Sequence, residues 1–150
     1  MTETTNPEVI DIFADLAVNS AKAVGGVWKN YRGNLDFLIG YTKSQKFKDK
    51  SMARYRKHEK ILSAGGKIAS DKLEDITTET MAELTLLGWR TGDEATGFKP
   101  TAVFKGEALE YSKENAMKFL SVPAFKDWVA KQGDDMSDFK EVQEAEDSKN

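Results

Sequence analysis

The stretch VWKNYRGNLDFLIGYT, Val27 to Thr42, decides the fold class of this 150-residue chain. Two runs rich in aromatic and β-branched residues flank Gly33-Asn34, and a Gly-Asn pair is typical of a two-residue hairpin turn. A helix could include LDFLIGY, but Gly33 and Gly40 argue against it. The stretch therefore predicts a β-hairpin among segments whose patterns are mostly helical.

The segment before the hairpin is predicted to form one helix. Asn6-Pro7-Glu8 supplies an N-cap, a proline at the first helical position and an acid in the first turn. Gly25-Gly26 ends the helix. Apolar residues recur on one face at helical spacing, namely Val9, Ile12, Phe13 and Leu16.

A basic helix is predicted after the hairpin, from Ser44 to about Ala64, because this segment is rich in helix-forming residues. Gly65-Gly66 ends it. The helix has a wide basic face and one narrow buried stripe. The stripe consists of Phe47, Met52, Tyr55 and Ile61/Leu62.

A second helix is predicted to begin near Asp71, where Asp71-x-x-Glu74 resembles a capping box. Gly88 is its expected C-cap, and TGDEATGFKP after it is predicted to be a loop. The expected core face of this helix is Leu73, Ile76, Met81, Leu84 and Leu87.

The C-terminal part is predicted to contain a hairpin and short helices. TAVFKGEALEY forms two short strands around Lys105-Gly106-Glu107, and Ser112 then caps a helix that ends near Leu120. Pro123 begins another helix, and residues 136–142 add a helical turn or two. The prediction is a mostly α fold with short β-hairpins (α+β), a single compact domain of about five helices plus one or two hairpins. Its expected bounds are residues 1–142, followed by a flexible acidic tail at 143–150.

Length and composition narrow the function classes. The chain fits one domain, on a prior of about 150 residues per domain. It has no cysteine, which excludes a disulfide framework, a thiol nucleophile, a zinc finger and an iron–sulfur cluster. The N-terminus is acidic where a secretory signal would be basic and then apolar, and no apolar run approaches the roughly 20 residues that span a bilayer. We expect a soluble cytoplasmic protein with no membrane partner.

The sequence contains no recognisable catalytic pattern. His58 is the only histidine, and its place among the cations of RYRKHEK favours a solvated helix face over catalysis. SAGGKIAS resembles a phosphate-binding loop, but Ile61 replaces the first glycine and Ile68 replaces the Ser or Thr. We expect no enzymatic activity and no catalytic, cofactor-binding or metal-binding residue.

The net charge of -3 conceals an uneven distribution. Nine Lys or Arg lie between Lys43 and Lys67 against two acids, whereas the sequence from Gly133 onward carries seven acids against two lysines. A basic helix can contact phosphates, but a pI of about 5.3 is far below that expected of a dedicated nucleic-acid binder. An acidic protein surface, including the tail of another copy, is the favoured partner.

The candidate partner-binding residues are six cations of the basic helix and two tryptophans. Core packing is the default for every tryptophan, because each follows an apolar run. Trp89 is expected just past a helix end and Trp128 near the acidic tail, so these two are the candidates for edge positions. The predicted set is Lys46, Lys50, Arg54, Arg56, Lys57, Lys60, Trp89 and Trp128.

Three segments between Met81 and Phe139 occur in the order MAELTLLGWR, LEYSKENAMKFL and PAFKDWVAKQGDDMSDF. This order resembles the tail assembly chaperones of long-tailed bacteriophages and their prophage relatives. The stretch between Trp89 and Leu109 is longer than in that family. The residues that carry the resemblance are Leu86, Leu87, Trp89, Tyr111, Ser112, Glu114, Asn115, Ala116, Leu120, Pro123, Phe125, Trp128, Val129 and Phe139.

The resemblance implies a non-enzymatic function in the host cytoplasm. Such chaperones bind the tape measure protein and keep it soluble while tail tube proteins polymerise around it, and they self-associate. The family implies no cofactor. Two alternatives stay open at this point: a structural virion protein of the tail or neck, and a small phage regulator or host-defence inhibitor. The last would bind protein or nucleic acid through the basic helix.

Overall fold

The predicted hairpin is present and forms half of the larger of two antiparallel sheets. A computed structural model describes Val9, residues 11–135 and residues 139–140, without the side chains of residues 15, 16 and 20. Strands β1 (Val27–Arg32) and β2 (Leu35–Ile39) pair in antiparallel register across the Gly33-Asn34 turn. The φ of Gly33 is 58°, the conformation that the turn requires.

The larger sheet has the order β1-β2-β3-β4, with β3 at Leu86–Asp93 and β4 at Gly97–Lys99. The second sheet pairs β5 (Thr101–Phe104) with β6 (Glu107–Glu110), as predicted.

Seven helices surround these sheets in the described part of the chain. Two short helices precede the larger sheet, three run between β2 and β3, and two follow β6. They are α1 (Ile12–Leu16), α2 (Ser20–Gly25), α3 (Gln45–Lys57), α4 (Glu59–Ala64), α5 (Gly66–Leu84), α6 (Lys113–Leu120) and α7 (Pro123–Asp134). The predicted α+β class and single compact domain are confirmed.

Phe37 on β2 lies at the centre of the main core, with a side chain that is 1% exposed. Offset and edge-to-face ring pairs of this kind contribute beyond the area they bury. The cluster joins the sheet to α6 and α7. The five rings around Phe37 have centroid distances of 6.0 Å (Tyr31), 6.2 Å (Trp89), 6.1 Å (Phe119), 4.8 Å (Phe125) and 5.8 Å (Trp128).

The predicted joint between β6 and α6 is confirmed. The Tyr111 hydroxyl donates to the Leu86 carbonyl at 2.7 Å, and the Ala82 carbonyl lies 3.1 Å away. Burial raises the pKa of Tyr111. The Ser112 hydroxyl accepts from the Asn115 amide at 3.0 Å and so caps α6.

The prediction that Leu86 to Gly88 continues a helix is wrong. The helix ends at Leu84 with Thr85 as its C-cap, and β3 begins at Leu86. A short apolar run cannot be assigned to helix or strand by periodicity alone, and pairing with β2 decides it here. The predicted TGDEATGFKP loop is also wrong, because most of it forms the end of β3 and all of β4.

The capping box at Asp71 is wrong as well. Helix α5 already begins at Gly66, and within it Lys67 Nζ contacts Asp71 Oδ2 at 3.0 Å, one turn apart. Gly65 does end the preceding helix, as predicted. With φ values of 71° and 78°, Gly65 and Gly66 reverse the chain so abruptly that α5 follows α4 directly.

Two predicted helices are each broken into two. The basic helix breaks at His58, whose φ and ψ of -113° and 24° are not helical. The N-terminal helix breaks between Leu16 and Ser20, where Asn19 caps α2 and Val18 bridges to Lys140. These breaks explain why seven helices replace the predicted five.

The predicted N-terminal apolar face is exposed where the structure describes it. Val9, Ile12 and Phe13 are 75%, 64% and 81% exposed. The predicted cap at Asn6-Pro7-Glu8, the helical turn predicted for 136–142 apart from residues 139–140, and the acidic tail at 143–150 lie outside the described residues.

We predict that Phe37→Ala lowers the free energy of unfolding by about 3–5 kcal/mol, because it leaves a cavity inside the ring cluster. Val103→Ala is the matched control: Val103 is 63% exposed on β5, and its loss should cost under about 0.5 kcal/mol. Urea unfolding followed by circular dichroism measures both. A loss below about 1 kcal/mol for Phe37→Ala would contradict the central role of this ring.

Candidate partner-binding groove

An open apolar groove runs along α3 and α4 and reaches α5 at one end. It consists of two cavities of 440 and 420 Å³ that share Tyr55 and Leu62. The first is also lined by Gly65, Gly66, Ala69, Ser70 and Leu73. The second is also lined by Met52, Arg56, Glu59 and Ser63. We call these eleven residues the groove.

The groove leaves large apolar side chains in contact with solvent. Met52 is 48% exposed and Leu73 is 45% exposed, while Tyr55 and Leu62 are half-buried. Nearby on the chain, Ile61 and Ile68 are 37% and 75% exposed but do not line the groove. Exposed apolar surface gathered in one place is typical of an interaction site.

The predicted buried stripe of the basic helix is therefore wrong in part. Phe47 packs against the main core as expected, but Met52 and Ile61 are exposed. The stripe fails because the helix breaks at His58, so α3 and α4 do not share one continuous face, and because the chain then reverses at Gly65-Gly66 and α5 returns along them.

Arg54 holds α3 against α5. Its side chain is 18% exposed, and its guanidinium group contacts Glu79 at 3.4 Å and Glu83 at 2.5 Å. The same group donates to the Thr80 hydroxyl at 3.0 Å. We call these four residues the Arg54 clamp.

Two lysines extend the clamp on either side. Lys50 on α3 contacts Glu83 at 3.5 Å, and Lys113 on α6 contacts Glu79 at 3.3 Å. The Arg54 hydrogen bond, together with the positive charges of Arg54, Lys50 and Lys113, holds the pKa of Glu83 below its ordinary value, against burial, which raises it. The clamp thus joins α3, α5 and α6.

The six predicted cations divide into two groups. Lys50 and Arg54 have carboxylate partners in the clamp and are engaged in holding the fold together. The other four are exposed and have no ion-pair partner among the described residues; they are Lys46, Arg56, Lys57 and Lys60. Of these four, Arg56 lines the groove.

The two predicted tryptophans lie away from the groove. Trp89 is 3% exposed on β3, and its indole donates to the Leu109 carbonyl at 2.9 Å, so the prediction of an edge position is wrong. Trp128 is half-buried and lies edge-to-face with Tyr31 at 5.0 Å. Both rings pack in the main core, which was the default interpretation.

Trp28 is the tryptophan that faces outward. It is 39% exposed on β1, and the Arg90 guanidinium lies 4.1 Å from its ring centroid and 3.9 Å from that of Phe98. Arg90 also pairs with Asp36 at 3.0 Å. This row of side chains stabilises the outer face of the sheet by cation–π contacts.

Within the described residues, the structure has no group of three or more His, Cys, Asp or Glu side chains placed to hold a metal ion. Over the same residues, none of the helices has both the length and the apolar character needed to cross a membrane.

The family model described as YdaY prophage protein matches residues 42–150 of the chain. The matched region contains the Arg54 clamp and the whole groove. This chain belongs to the YdaY prophage protein family. No curated protein and no solved structure matches it.

The sequence does not predict the groove as a site, because its apolar residues fit the pattern of a buried helix face. One signal could have found it. The glycine pair at 65–66 makes a short helical hairpin, and apolar residues on both sides of that pair exceed what one narrow stripe needs.

We predict that Arg54→Ala lowers the free energy of unfolding by about 1–2 kcal/mol, because it removes charge-assisted hydrogen bonds from a partly exposed site. Arg56→Ala makes the same chemical change two residues away, where the described part of the chain offers the side chain no such partner, and should cost under about 0.5 kcal/mol. Chemical unfolding of both variants provides the measurement. Equal losses would show that the clamp does not hold α3.

We further predict a dependence on pH that requires Glu83. Its pKa in the folded state is lowered, so its contribution to stability is present above the unfolded-state value of about 4.3 and is lost as pH falls through the folded-state value. Between about pH 5 and pH 3 the wild type should lose more stability than Glu83→Gln. Glu94→Gln, in the exposed β3–β4 turn, is the control and should follow the wild type. If the free energy of unfolding, measured against pH, follows parallel curves for all three proteins, Glu83 is not the source of the pH dependence.

Proposed function

We propose that this prophage protein is a non-enzymatic tail assembly chaperone that binds the tape measure protein through its groove. The observation that carries the proposal is the apolar surface of Met52, Tyr55, Leu62 and Leu73, which is open to solvent beside Arg56, a cation with no ion-pair partner among the described residues. A surface of this kind is typical of partner binding. The prophage family supports a phage protein, and the resemblance of the C-terminal segments to tail assembly chaperones supports the narrower proposal.

The groove suits reversible binding. Its four large apolar side chains are already partly buried, so each gains about 1 kcal/mol or less when it is covered. The partner's side chains gain a similar amount, and the cost of association offsets most of the combined gain. The dissociation constant of one groove for one partner segment is therefore in the micromolar range or weaker. An assembly factor needs such an affinity, because it must leave the tape measure protein when tube subunits replace it.

The proposal includes self-association, because several copies along one tape measure protein would together cover more of its apolar surface than one copy can. Avidity of linked sites raises overall affinity without new contacts. Tail tube proteins enter as the partners that displace the chaperone. The host cytoplasm is the proposed site of action.

We predict that co-expression with the tape measure protein of the same genome keeps that protein soluble and that the two co-purify. Expression of the tape measure protein alone, and with an unrelated soluble protein of equal size, provides the controls. A tape measure protein that stays insoluble in all three conditions would contradict the proposal. If this chain were instead found in purified particles, it would be a structural virion protein.

A further inference from the structure

We infer that the groove binds an amphipathic helix whose apolar stripe is flanked by acidic residues. This inference deepens the proposed function and rests on it, because it states which chemistry in the partner the groove recognises.

The walls of the groove favour a helix over an extended segment. Most of its lining residues lie on α3, α4 and α5, whose backbone amides and carbonyls are used within those helices. An extended peptide would find no strand edge to pair with, and its own backbone groups would be buried without partners. A helix satisfies its backbone internally and needs only side-chain contacts. A helix laid along α3 and α4 also has the geometry of ordinary helix packing.

The apolar residues of the groove form a stripe rather than a point. Tyr55 and Leu62 belong to both cavities, Met52 lies at one end and Leu73 at the other. A ligand helix with apolar residues at i, i+3, i+4 and i+7 presents a stripe of the matching kind. Polar residues at the same positions would bury unsatisfied groups against Leu62 and Leu73.

The charge around the groove favours acidic residues beside that stripe. Segment 45–64 carries seven Lys or Arg and two acids, a net charge of +5. The carboxylates of the clamp neutralise Arg54 and Lys50. The exposed cations of the same segment have no ion-pair partner among the described residues, and one of them, Arg56, lines the groove. Glu59 is the one acidic residue of the lining. A basic ligand would meet like charge here.

Three synthetic helices of about 18 residues, roughly five turns, test the inference. The first has leucines on one helical stripe and glutamates elsewhere; the second replaces the glutamates with lysines; the third has the composition of the first in scrambled order. Titration into the ¹⁵N-labelled full chain should give saturable amide shifts at Tyr55, Leu62, Ala69 and Leu73 with the first peptide. The lysine and scrambled peptides should bind at least about tenfold more weakly.

Variants of the full chain locate the binding site. Leu73→Glu should weaken binding of the acidic peptide about tenfold, whereas Ile68→Glu, on the same helix but outside the groove lining, should leave it within about twofold. Arg56→Glu should weaken binding similarly, and Lys118→Glu, an exposed site on α6 with the same change of charge, should not. Preserved circular dichroism and amide spectra show that each variant is folded.

The inference is overturned if the acidic peptide gives no saturable shifts, if its shifts lie outside the groove, or if the lysine peptide binds as well. Unchanged binding by Leu73→Glu and Arg56→Glu would also overturn it. These outcomes are separate from the fate of the proposed function. Co-purification of the tape measure protein without peptide binding would support the chaperone function and reject the groove as the binding site. Peptide binding without co-purification would support the groove as a helix-binding site and reject the chaperone function.

Discussion

The ring cluster around Phe37 is the contact on which the rest of the structure depends. It joins β2 and β3 to α6 and α7, and Met81 of α5 belongs to the same core. Because α5 is fixed there along one side, its other side is available to carry α3 and α4. The groove is thus built on a rigid element rather than on loops, which is the arrangement that holds binding surfaces in place.

Helix α3 is attached to the rest of the fold by an apolar contact and a polar one. Phe47 packs against the main core from the start of the helix, and the Arg54 clamp fastens its second half. A polar clamp fixes position without covering apolar surface. Met52, Tyr55 and Arg56 line the groove from a side of α3 other than the one that carries Arg54, so the clamp leaves that side open.

Local signals predicted the parts of the fold that local chemistry determines. The hairpin at Gly33-Asn34, the Ser112 cap and the Pro123 helix start each depend on a few neighbouring residues, and each prediction is confirmed. The predictions are wrong where contacts between residues far apart in the sequence determine the structure. Leu86 to Asp93 is a strand because β2 lies beside it, and the groove reaches α5 because α5 returns along α3 and α4 after the turn at Gly65-Gly66. Neither contact can be read from the pattern of apolar residues within one segment.

The two arginines at positions 54 and 56 show why charge alone could not define the site. At 100° per residue, side chains two positions apart point about 200° apart around a helix. Arg54 therefore faces α5 and its carboxylates, while Arg56 faces the groove. In sequence both belong to one basic run with the same composition. One run thus attaches α3 through Arg54 and, in the proposed function, recognises the partner through Arg56; the direction of each side chain around the helix, not its charge, separates them.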